Sequence, residues 1–271
     1  MKFDDLDRAM RVYETAHDHC VLPGLFMVAR LDGRSFTRLT KEVHAFEAPF
    51  DPKFRDMMLG TTEHLMSETG FRFVYGYTES DEISLLFDPG ENGFGRKLRK
   101  LNSVLAGEAS AKFSLLLGAV ACLDCRISQL PTAELVVDYF RWRSEDASRN
   151  ALNAHCYWGT RKAGRTVAEA TEALAGKSVA DKNEMLFRLG VNYNELPAWQ
   201  KRGCGVVWET FDLPATNPVS GAAVVARRRR LRRDLDLPMK DAYSDFVRAM
   251  VPRTAASSHE TGRNTTQRCL I

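Results

Sequence analysis

Short apolar stretches in the first half of the chain predict four strands. A stretch that leaves a Pro-Gly turn and ends near Leu31 predicts the first strand. Apolar residues then alternate with polar ones at 71–77 and again at 83–87, which predicts a second and a third strand joined by a tight acidic turn. Residues 119–127 predict the fourth strand.

Three stretches of helical periodicity accompany these strands. Residues 4–19 predict a short amphipathic helix. A longer helix follows the first strand, because Asp51 suits its N-cap, Pro52 its first position and Gly70 the residue past its end. The apolar spacing at 98–116 predicts the third helix.

The predicted order is strand, helix, strand, strand, helix, strand. This is the order of the split βαβ, ferredoxin-like arrangement, in which helices back an antiparallel sheet, and polymerases build their palm on such a unit. We therefore predict an α+β fold with a palm-like antiparallel sheet and a C-terminal helical region. Its parts are a palm-like catalytic region (1–131), a mostly helical region of the same catalytic unit (132–252) and a disordered tail (253–271).

Helical patterns dominate the second half of the chain. Residues 132–158 predict one long helix or two. A Thr166–Glu169 capping box predicts the start of another helix, and a short helix follows at 181–190. Residues 204–211 predict the final strand.

Charge is unevenly distributed along the chain. Of 271 residues, 44% are hydrophobic, which is enough for a sizeable core, and the net charge is +3. Residues 221–271 hold 11 of the 38 basic residues and 5 of the 35 acidic ones, which leaves 27 and 30 for residues 1–220. A basic surplus at the C-terminal end suits contact with a polyanion.

Cysteine usage and hydropathy predict a cytoplasmic protein without a membrane partner. The six cysteines lack the spacing of a disulfide or zinc framework, which favours a reducing compartment. The one CxxC pair, Cys122 and Cys125, is interpreted as ordinary buried thiols rather than a redox motif. No apolar stretch reaches the roughly 20 residues of a membrane span, and the acidic N-terminus is unlike a signal peptide.

Two aspartates are candidates for metal-dependent chemistry. Asp32 follows the first strand in RLDGRSF, and Asp81 lies at the predicted hairpin tip in YTESDEI. If the first strand lies beside the hairpin, both carboxylates reach the same edge of the sheet. Paired carboxylates repel each other unless a divalent cation lies between them, and Mg²⁺ prefers oxygen ligands together with substrate phosphates. The alternative is an ordinary Asp-Gly turn and a solvated hairpin tip.

Four blocks, in this order and spacing, resemble the tRNA-histidine guanylyltransferase family, including its 3′-to-5′ polymerase-like branch: RLDGRSF, YGYTESDEISLLF, ADKNEMLF and VNYNELP. The resemblance extends over about residues 20–210. It implies template-dependent addition of nucleotides to the 5′ end of tRNA. ATP would activate the tRNA 5′ phosphate as an adenylate, and the 3′ hydroxyl of an incoming nucleotide would then expel AMP. The resemblance also implies a homotetramer.

The same resemblance implies the residues of the active site. Asp32, the Gly33 carbonyl and Asp81 would hold two Mg²⁺ ions, and Glu82 would adjoin them as the third catalytic residue. ATP, GTP or other nucleoside triphosphates would contact a segment made of Asp32, Gly33, Arg34, Ser35, Phe36, Thr37, Ser80 and Asp81. From the residues alone, Gly33 lets the main chain approach a ligand closely, and Phe36 either faces a base or packs in the core.

Basic and amide side chains are candidates for phosphate contact. The resemblance assigns Arg96, Lys97 and Lys100 to a triphosphate, and the alternative is a solvated helix face. More loosely, it assigns structural or tRNA-contacting roles to Lys182, Asn192 and Asn194, where turn formation by the asparagines is the alternative.

The densest charge of the chain lies at 226–236. Charge alone favours tRNA contact by Arg227, Arg228, Arg229 and Arg230, because blocks of like charge are often interaction segments and phosphate neutralisation gives sequence-independent affinity for RNA. The alternative is a solvated helix face whose charge nearby aspartates partly offset.

Two departures from the family's eukaryotic pattern favour the polymerase-like branch, which repairs tRNAs truncated at the 5′ end. Ser148 stands where histidine-specific enzymes have the histidine of an HINN motif, and Ala48 stands where a lysine precedes the proline. A nucleotide cyclase, which shares the palm, and a tRNA-binding protein with a decayed site are the other candidate functions. The basic C-terminal end argues against the first, and intact Asp32, Gly33 and Asp81 argue against the second.

Overall fold

The computed structural model describes residues 1–216, 219 and 221–252. In this part of the chain, six strands form one antiparallel sheet. The strands are β1 (Phe26–Gly33), β2 (Phe73–Glu79), β3 (Glu82–Phe87), β4 (Leu123–Leu130), β5 (Cys204–Thr216) and β6 (Ala223–Asp234). Their order across the sheet is β4-β1-β3-β2-β5-β6, so that β1 lies directly beside the β2–β3 hairpin.

Nine helices accompany the sheet within the described residues. They are α1 (Phe3–Thr15), α2 (Phe36–Arg38), α3 (Pro52–Glu68), α4 (Leu98–Leu117), α5 (Ala133–Lys162), α6 (Val167–Glu172), α7 (Val179–Arg188), α8 (Ala198–Arg202) and α9 (Lys240–Met250). A π-helical turn, Leu39–Val43, continues α2. The long helical pattern after Pro131 forms one helix of 30 residues, whose first turn is capped by the Thr132 hydroxyl.

Two apolar layers cover the two faces of the sheet. On one face, α3 and α4 pack against β1 and β3 through residues such as Leu31, Leu59 and Leu105. On the other face, α5 and α9 pack through residues such as Val28 and Phe140. Because both faces are covered, β1 and β3 are buried along nearly their whole length, which explains their near-continuous apolar sequences.

The α+β fold class is confirmed, and β1, α3, β2, β3, α4 and β4 follow in the predicted order of strand, helix, strand, strand, helix, strand. The predicted caps are also present. The Asp51 carboxylate accepts a 2.7 Å hydrogen bond from the Lys53 N–H at the start of α3, and Thr166 and Glu169 form a capping box at the start of α6. The boundaries differ by a few residues, since α1 ends at Thr15 and β4 begins only at Leu123.

Residues 204–211 form a strand within β5, as predicted, but the prediction that this strand is the final one is wrong, because β6 follows and pairs with residues 205–216 of β5. The arginine-rich segment is therefore a strand and not a helix face. Only the first four residues of β5 pair with β2, so residues 208–216 and 223–231 form a two-stranded extension of the sheet, which we call the β5–β6 ribbon. The region after Pro131 is thus helical to Arg202 and then returns to the sheet.

The remaining predictions concern the tail, the membrane and the cysteines. Residues 253–271, predicted to be disordered, lie outside the described residues. Within the described part, no helix combines the length and the apolar character that a bilayer span requires. The CxxC thiols are free, as expected, but Cys122 is exposed and Cys125 is only half-buried, so they are not the buried pair that was predicted.

Candidate active site

A backbone hydrogen bond joins the end of β1 to the tip of the β2–β3 hairpin. The Gly33 N–H donates to the carbonyl oxygen of Asp81 over 3.1 Å. In the register of the sheet, Asp32 lies opposite Glu82 on β3 and opposite Asp124 on β4. The structure therefore brings Asp32, Gly33, Asp81 and Glu82 together at one edge of the sheet.

Packing explains the glycine that follows Asp32. A Cβ at Gly33 would lie 2.4 Å from Cγ of Phe36. The Phe36 side chain is buried, and its ring centroid lies 5.0 Å from that of Phe113 and 6.1 Å from that of Phe54. Phe36 therefore packs in the core, and Gly33 makes room for that ring.

The hairpin tip is a two-residue turn, Ser80 and Asp81, closed by the register pair Glu79 and Glu82. Ser80 has a left-handed φ of 46°, a conformation that costs a non-glycine residue about 1 kcal/mol or more. Two hydrogen bonds support it: the Ser80 hydroxyl donates to the Asp81 carboxylate at 3.0 Å, and the Thr78 hydroxyl donates to the Glu82 carbonyl at 2.8 Å. The turn presents Asp81 at its apex.

Four carboxylates meet at this corner: arginine compensates the charge of Glu79 and Glu82, but not that of Asp32 and Asp81. Arg143 lies 3.3 Å from Glu79 and 2.9 Å from Glu82, and burial nevertheless raises the pKa of Glu79 to about 8. Burial, together with the Asp32 charge, raises the pKa of Asp81. The ion pairs formed by the described residues reach Glu79 and Glu82 but not Asp32 or Asp81. The negative charge of Asp32 and Asp81 is thus left without a cationic side chain.

This donor set fits Mg²⁺. The protein compensates two carboxylates with arginine and leaves two adjacent ones unmatched, and a divalent cation would remove that repulsion. No three His, Cys, Asp or Glu side chains converge as a metal site in residues 1–216, 219 and 221–252. Mg²⁺ does not need such a cage, since it is commonly held by one or two carboxylates, water and substrate phosphates. Asp32, Asp81 and the Gly33 carbonyl are the residues that would hold it.

A cleft of about 320 Å³ opens beside the hairpin tip, between the loop that precedes α3, helix α5 and helix α8. Its volume lies in the range of small-molecule sites. Six aromatic residues line it: Phe36, Phe46, Phe50, Phe54, Trp158 and Trp199. Residues Thr78–Glu82 form one polar part of the wall, so Asp81 borders a space suited to a flat aromatic group such as a nucleobase.

The predicted nucleotide-binding segment is only partly available to a ligand. The Arg34 N–H donates to the Cys122 carbonyl at 2.9 Å, so this N–H is not open to a phosphate, and the Gly33 N–H is likewise used. The side chains of Arg34, Ser35 and Thr37 are exposed, and Thr37 lines the cleft. Side chains rather than backbone N–H groups at positions 33 and 34 are therefore available to a triphosphate.

The basic segment at 96–100 lies away from the acidic pair. Arg96 is buried, and its guanidinium donates to the Leu25 carbonyl at 2.6 Å. Leu25 precedes β1 and Asp32 lies near its end, so roughly 23 Å of strand separates them, at about 3.3 Å per residue. Lys97 pairs with Asp18 at 2.9 Å. The structure does not bring Arg96, Lys97 and Lys100 to the acidic pair of the same chain.

The asparagines of the VNYNELP block shape a turn. The Asn192 carboxamide accepts a hydrogen bond from the Asn194 N–H at 3.1 Å and donates to Glu195 at 2.8 Å. The Lys201 ammonium donates to the Asn194 carbonyl at 2.8 Å. Lys182 lies on α7, where its carbonyl accepts from the Cys156 thiol. These contacts are those expected if the asparagines form a turn, which was the alternative to tRNA contact.

Ser148, at the position of the family's histidine, lies inside α5 and links it to the chain around α8. Its hydroxyl donates to the Lys201 carbonyl at 2.8 Å, and the Tyr193 hydroxyl donates to the Ser148 carbonyl at 3.0 Å. Ala48 lines the cleft and precedes Pro49 through a cis peptide bond. Ser148 is therefore hydrogen-bonded to the chain around α8, and Ala48 lies in the wall of the cleft.

The four consecutive arginines lie on β6, in the β5–β6 ribbon, and differ in their partners. Arg229 lies over the Trp208 ring at 4.6 Å. Arg230 lies over Phe211 at 5.0 Å and pairs with Glu209 at 2.5 Å. None of the ion pairs formed by the described residues involves Arg227 or Arg228, and both side chains are exposed. These two arginines are available to a polyanion.

Sequence reasoning missed several residues of the site. Arg143 and Glu79 gave no local signal, because their contact joins positions 64 residues apart. Asp124 lies opposite Asp32 and pairs with Arg126 at 3.4 Å. The cleft aromatics Phe46, Trp158 and Trp199 come from three separate segments. No sequence signal marked them, because Trp158 lies in the predicted helix 132–158, and Phe46 and Trp199 lie outside every predicted element.

A palm-like antiparallel sheet with paired acids at one edge, beside a nucleotide-sized cleft, is typical of palm-type enzymes that act on nucleotides. The sequence matches the family described as tRNAHis guanylyltransferase over residues 7–131 and the domain described as Thg1 C terminal domain over residues 134–261. The chain belongs to the tRNA(His) guanylyltransferase family.

Individual relatives agree with this assignment. The chain is 33% identical to a probable tRNA(His) guanylyltransferase of Drosophila melanogaster over 197 residues, which cover 69% of this chain and 68% of the relative. It is 30% identical to a probable tRNA(His) guanylyltransferase of Mus musculus over 223 residues, which cover 78% of this chain and 72% of the relative.

Two solved structures of a bacterial tRNA(His) guanylyltransferase-like protein are similar to the chain. The complex with GTP has a TM-score of 0.70 at 26% identity and covers 91% of this chain and 99% of that one. The complex with ATP has a TM-score of 0.71 at 26% identity and covers 93% and 99%. The likeness therefore extends over both the palm and the C-terminal part.

Proposed function

We propose that the protein adds nucleotides to the 5′ end of tRNA in the 3′-to-5′ direction. The observation that carries this proposal is the pair Asp32 and Asp81, which the ion pairs of the described residues leave uncompensated and of which Asp81 lines a nucleotide-sized cleft. Relatives named tRNA(His) guanylyltransferase and similar structures that hold GTP or ATP support the substrates.

The proposed reaction has two phosphoryl transfers. The tRNA 5′ phosphate attacks the α-phosphorus of ATP, pyrophosphate leaves, and a 5′ adenylate forms. The 3′ hydroxyl of the incoming nucleotide then attacks the tRNA phosphorus of that adenylate and expels AMP. Each step needs an oxygen nucleophile in line with its leaving group and compensation of phosphate charge.

The residues of the chain have distinct roles in this scheme. Asp32, Asp81 and the Gly33 carbonyl would hold two Mg²⁺ ions, which would supply charge compensation for the attacking and leaving oxygens. Glu82 adjoins them and is neutralised by Arg143 and Arg30. The aromatic wall of the cleft binds the base, and exposed Arg34 and Thr37 bind phosphate oxygens.

Ser148 and Ala48 favour templated repair over guanylylation of one tRNA. A serine whose hydroxyl is already donated to Lys201 cannot reproduce the contacts of an imidazole. Guanylylation of the histidine tRNA alone is the second candidate, and it is favoured by the names of the relatives. The two candidates differ in whether the added nucleotide follows the template opposite it.

One assay tests the proposal. The protein is incubated with Mg²⁺, the four nucleoside triphosphates and tRNAs that lack their first nucleotide, with each of the four bases opposite the gap. We expect 5′ extension that follows the opposite base. Asp32→Ala and Asp81→Ala should abolish extension, whereas Asp241→Ala, at an exposed position of α9, should extend normally. Addition of guanosine whatever the template would favour dedicated guanylylation.

Two other outcomes would overturn the proposal. Cyclic nucleotide formed without RNA would identify a cyclase. Retention of tRNA with no product, under conditions where the triphosphate binds, would identify a tRNA-binding protein. Near-normal extension by Asp32→Ala or Asp81→Ala would overturn the metal-site assignment alone.

We also propose that the active form is a homotetramer, as the family resemblance implies. Lys97 and Lys100 lie beside buried Arg96, far from the acidic pair of their own chain, and this placement supports an assembly in which the two lysines face another chain. Light scattering after gel filtration should give about four times the 30.5 kDa chain mass. A monomer that is fully active in extension would contradict this part of the proposal.

A further inference from the structure

Arg143, on α5, is the least exposed charged residue of the described chain, at 4%. We propose that Arg143 is a positioning residue: it fixes the tip of the β2–β3 hairpin so that the Asp81 carboxylate stays beside Asp32 and the two can share a divalent cation. This inference rests on the proposed function.

One guanidinium nitrogen makes the contacts that carry the inference. Nη2 of Arg143 lies 3.3 Å from Oε1 of Glu79, 2.9 Å from Oε2 of Glu82 and 3.2 Å from Oδ2 of Asp146. Glu79 is the last residue of β2 and Glu82 the first of β3, so they flank the two-residue turn that carries Asp81. Arg143 therefore clamps both legs of that turn to α5.

Arg143 acts from behind the site. Residues Glu79–Glu82 line the cleft, and so do Ala147 and Ala151, which lie one and two turns beyond Arg143 on α5. Nη2 of Arg143 is occupied by three carboxylates, and Cζ of Arg143 lies 4.7 Å from the centroid of the Trp142 ring. A nucleotide in the cleft would thus meet the hairpin tip and not Arg143.

The tip needs such a clamp. Ser80 is held at a left-handed φ of 46°, which an unsupported turn would leave. The Gly33–Asp81 hydrogen bond fixes the backbone of Asp81 on the β1 side, and Arg143 fixes the opposite side through Glu79 and Glu82.

Positioning and simple charge compensation predict opposite effects on cation binding. If Arg143 only compensates charge, its removal makes the corner more negative, and a divalent cation binds more tightly. If Arg143 positions Asp81, its removal lets the tip move, and the cation loses one of its two carboxylates. The sign of the change in cation affinity therefore separates the two roles.

The experiment measures Mn²⁺ binding without nucleotide, by the electron paramagnetic resonance signal of free Mn²⁺. The variants are Arg143→Met, Arg143→Lys and Asp32→Ala. The matched control is Arg141→Met on the same helix, where Arg141 pairs with Glu145 at 2.8 Å and with Asp241 at 3.1 Å, at the surface. Circular dichroism melts check that each variant is folded.

We expect Arg143→Met to weaken Mn²⁺ binding at least tenfold and Arg143→Lys about threefold, with Arg141→Met within twofold of the wild type. Unchanged or tighter binding by folded Arg143→Met would overturn the positioning role. If Arg143→Met does not fold, the test rests on Arg143→Lys, which keeps one positive charge. Wild-type affinity of Arg143→Lys for Mn²⁺ would contradict the inference. If Asp32→Ala binds Mn²⁺ as tightly as the wild type, the assignment of the metal site itself is wrong.

Discussion

The Gly33 N–H and the Asp81 carbonyl oxygen lie 3.1 Å apart, so the backbone that follows Asp32 is bonded to the backbone that carries the second aspartate. The position of Asp32 relative to Asp81 is therefore set by the sheet and not by flexible side chains alone. Because β1 and β3 are buried on both faces, the backbone on the β1 side of the hairpin tip is held in place before any ligand binds. Such preorganisation is what phosphoryl transfer requires of a protein.

Gly33→Ala tests whether the close packing of this corner matters. The new Cβ would lie 2.4 Å from the Phe36 ring, and that ring is packed against Phe54 and Phe113. We expect the free energy of unfolding to fall by about 1–3 kcal/mol, the usual cost of overpacking. Extension activity should fall at least tenfold because Asp32 shifts. Urea unfolding and the 5′-extension assay measure the two effects.

Gly107→Ala is the matched control for this substitution. Gly107 lies in the middle of α4, and an added Cβ there meets nothing within 4 Å. Alanine is favoured over glycine inside a helix, so stability should rise by up to about 1 kcal/mol with activity unchanged. Equal effects of the two substitutions would show that the Phe36 contact is not the cause.

Asp81→Asn should separate stability from activity. Burial and the Asp32 charge raise the pKa of Asp81 above its value in the unfolded chain, so the wild type loses stability as the pH rises through the folded pKa. The neutral carboxamide removes that loss. We expect Asp81→Asn to melt at a higher temperature than the wild type at pH 8, with a smaller difference at pH 4, and to lack extension activity.

Ligand binding should have the opposite effect on the two proteins, stabilising the wild type but not Asp81→Asn. Mg²⁺ with GTP should raise the melting temperature of the wild type, because a ligand that binds only the folded state stabilises it. The rise should be absent in Asp81→Asn. A variant that melts lower than the wild type at pH 8 would show that Asp81 is a structural acceptor and not an uncompensated charge.

Cysteine reactivity tests the packing around the sheet. Burial raises the pKa of Cys204 to about 12 and that of Cys125 to about 12, so both thiols stay protonated at neutral pH. The thiolate is the reactive form. Among the five cysteines of the described residues, iodoacetamide at pH 8 should therefore label the exposed Cys20 and Cys122 first, as read by mass spectrometry of peptides. Rapid labelling of Cys204 in the folded protein would contradict this arrangement.

Local sequence signals were sufficient for most of the palm. Asp51 and Thr166 specify helix starts through contacts with residues two or three positions away. The alternation at 71–77 and 83–87 specifies two strands because each contributes a buried face. The placement of Asp32 beside the hairpin also followed, because it needs only the strand order of the split βαβ unit.

Contacts that join distant segments could not be predicted in the same way. Arg143 looks like any helix arginine until β2 and β3 bring Glu79 and Glu82 to it. The arginine-rich strand has no apolar alternation, and it forms because β5 offers pairing along its whole length, with Trp208 beneath Arg229. Strand pairing outweighs composition there.

The β5–β6 ribbon allows a test of tRNA contact. Arg227 and Arg228 have no carboxylate partner among the described residues, whereas Arg232 pairs with Glu209 at 3.2 Å and Asp234 at 3.4 Å. We expect the double variant Arg227→Gln/Arg228→Gln to weaken tRNA binding and to reduce the slope of log affinity against log salt by about 2, roughly one per lost phosphate contact. Filter binding at several salt concentrations measures both quantities.

Arg232→Gln is the control on the same strand, because it removes one positive charge whose partners are already within the protein. Its salt slope should change by less than that of either single variant, Arg227→Gln or Arg228→Gln. If net charge alone governs binding, all three single variants will weaken tRNA binding equally, and the ribbon will not be a specific contact. If neither Arg227 nor Arg228 affects the slope, tRNA binds elsewhere on the chain, since counterion release follows only the phosphates that are contacted.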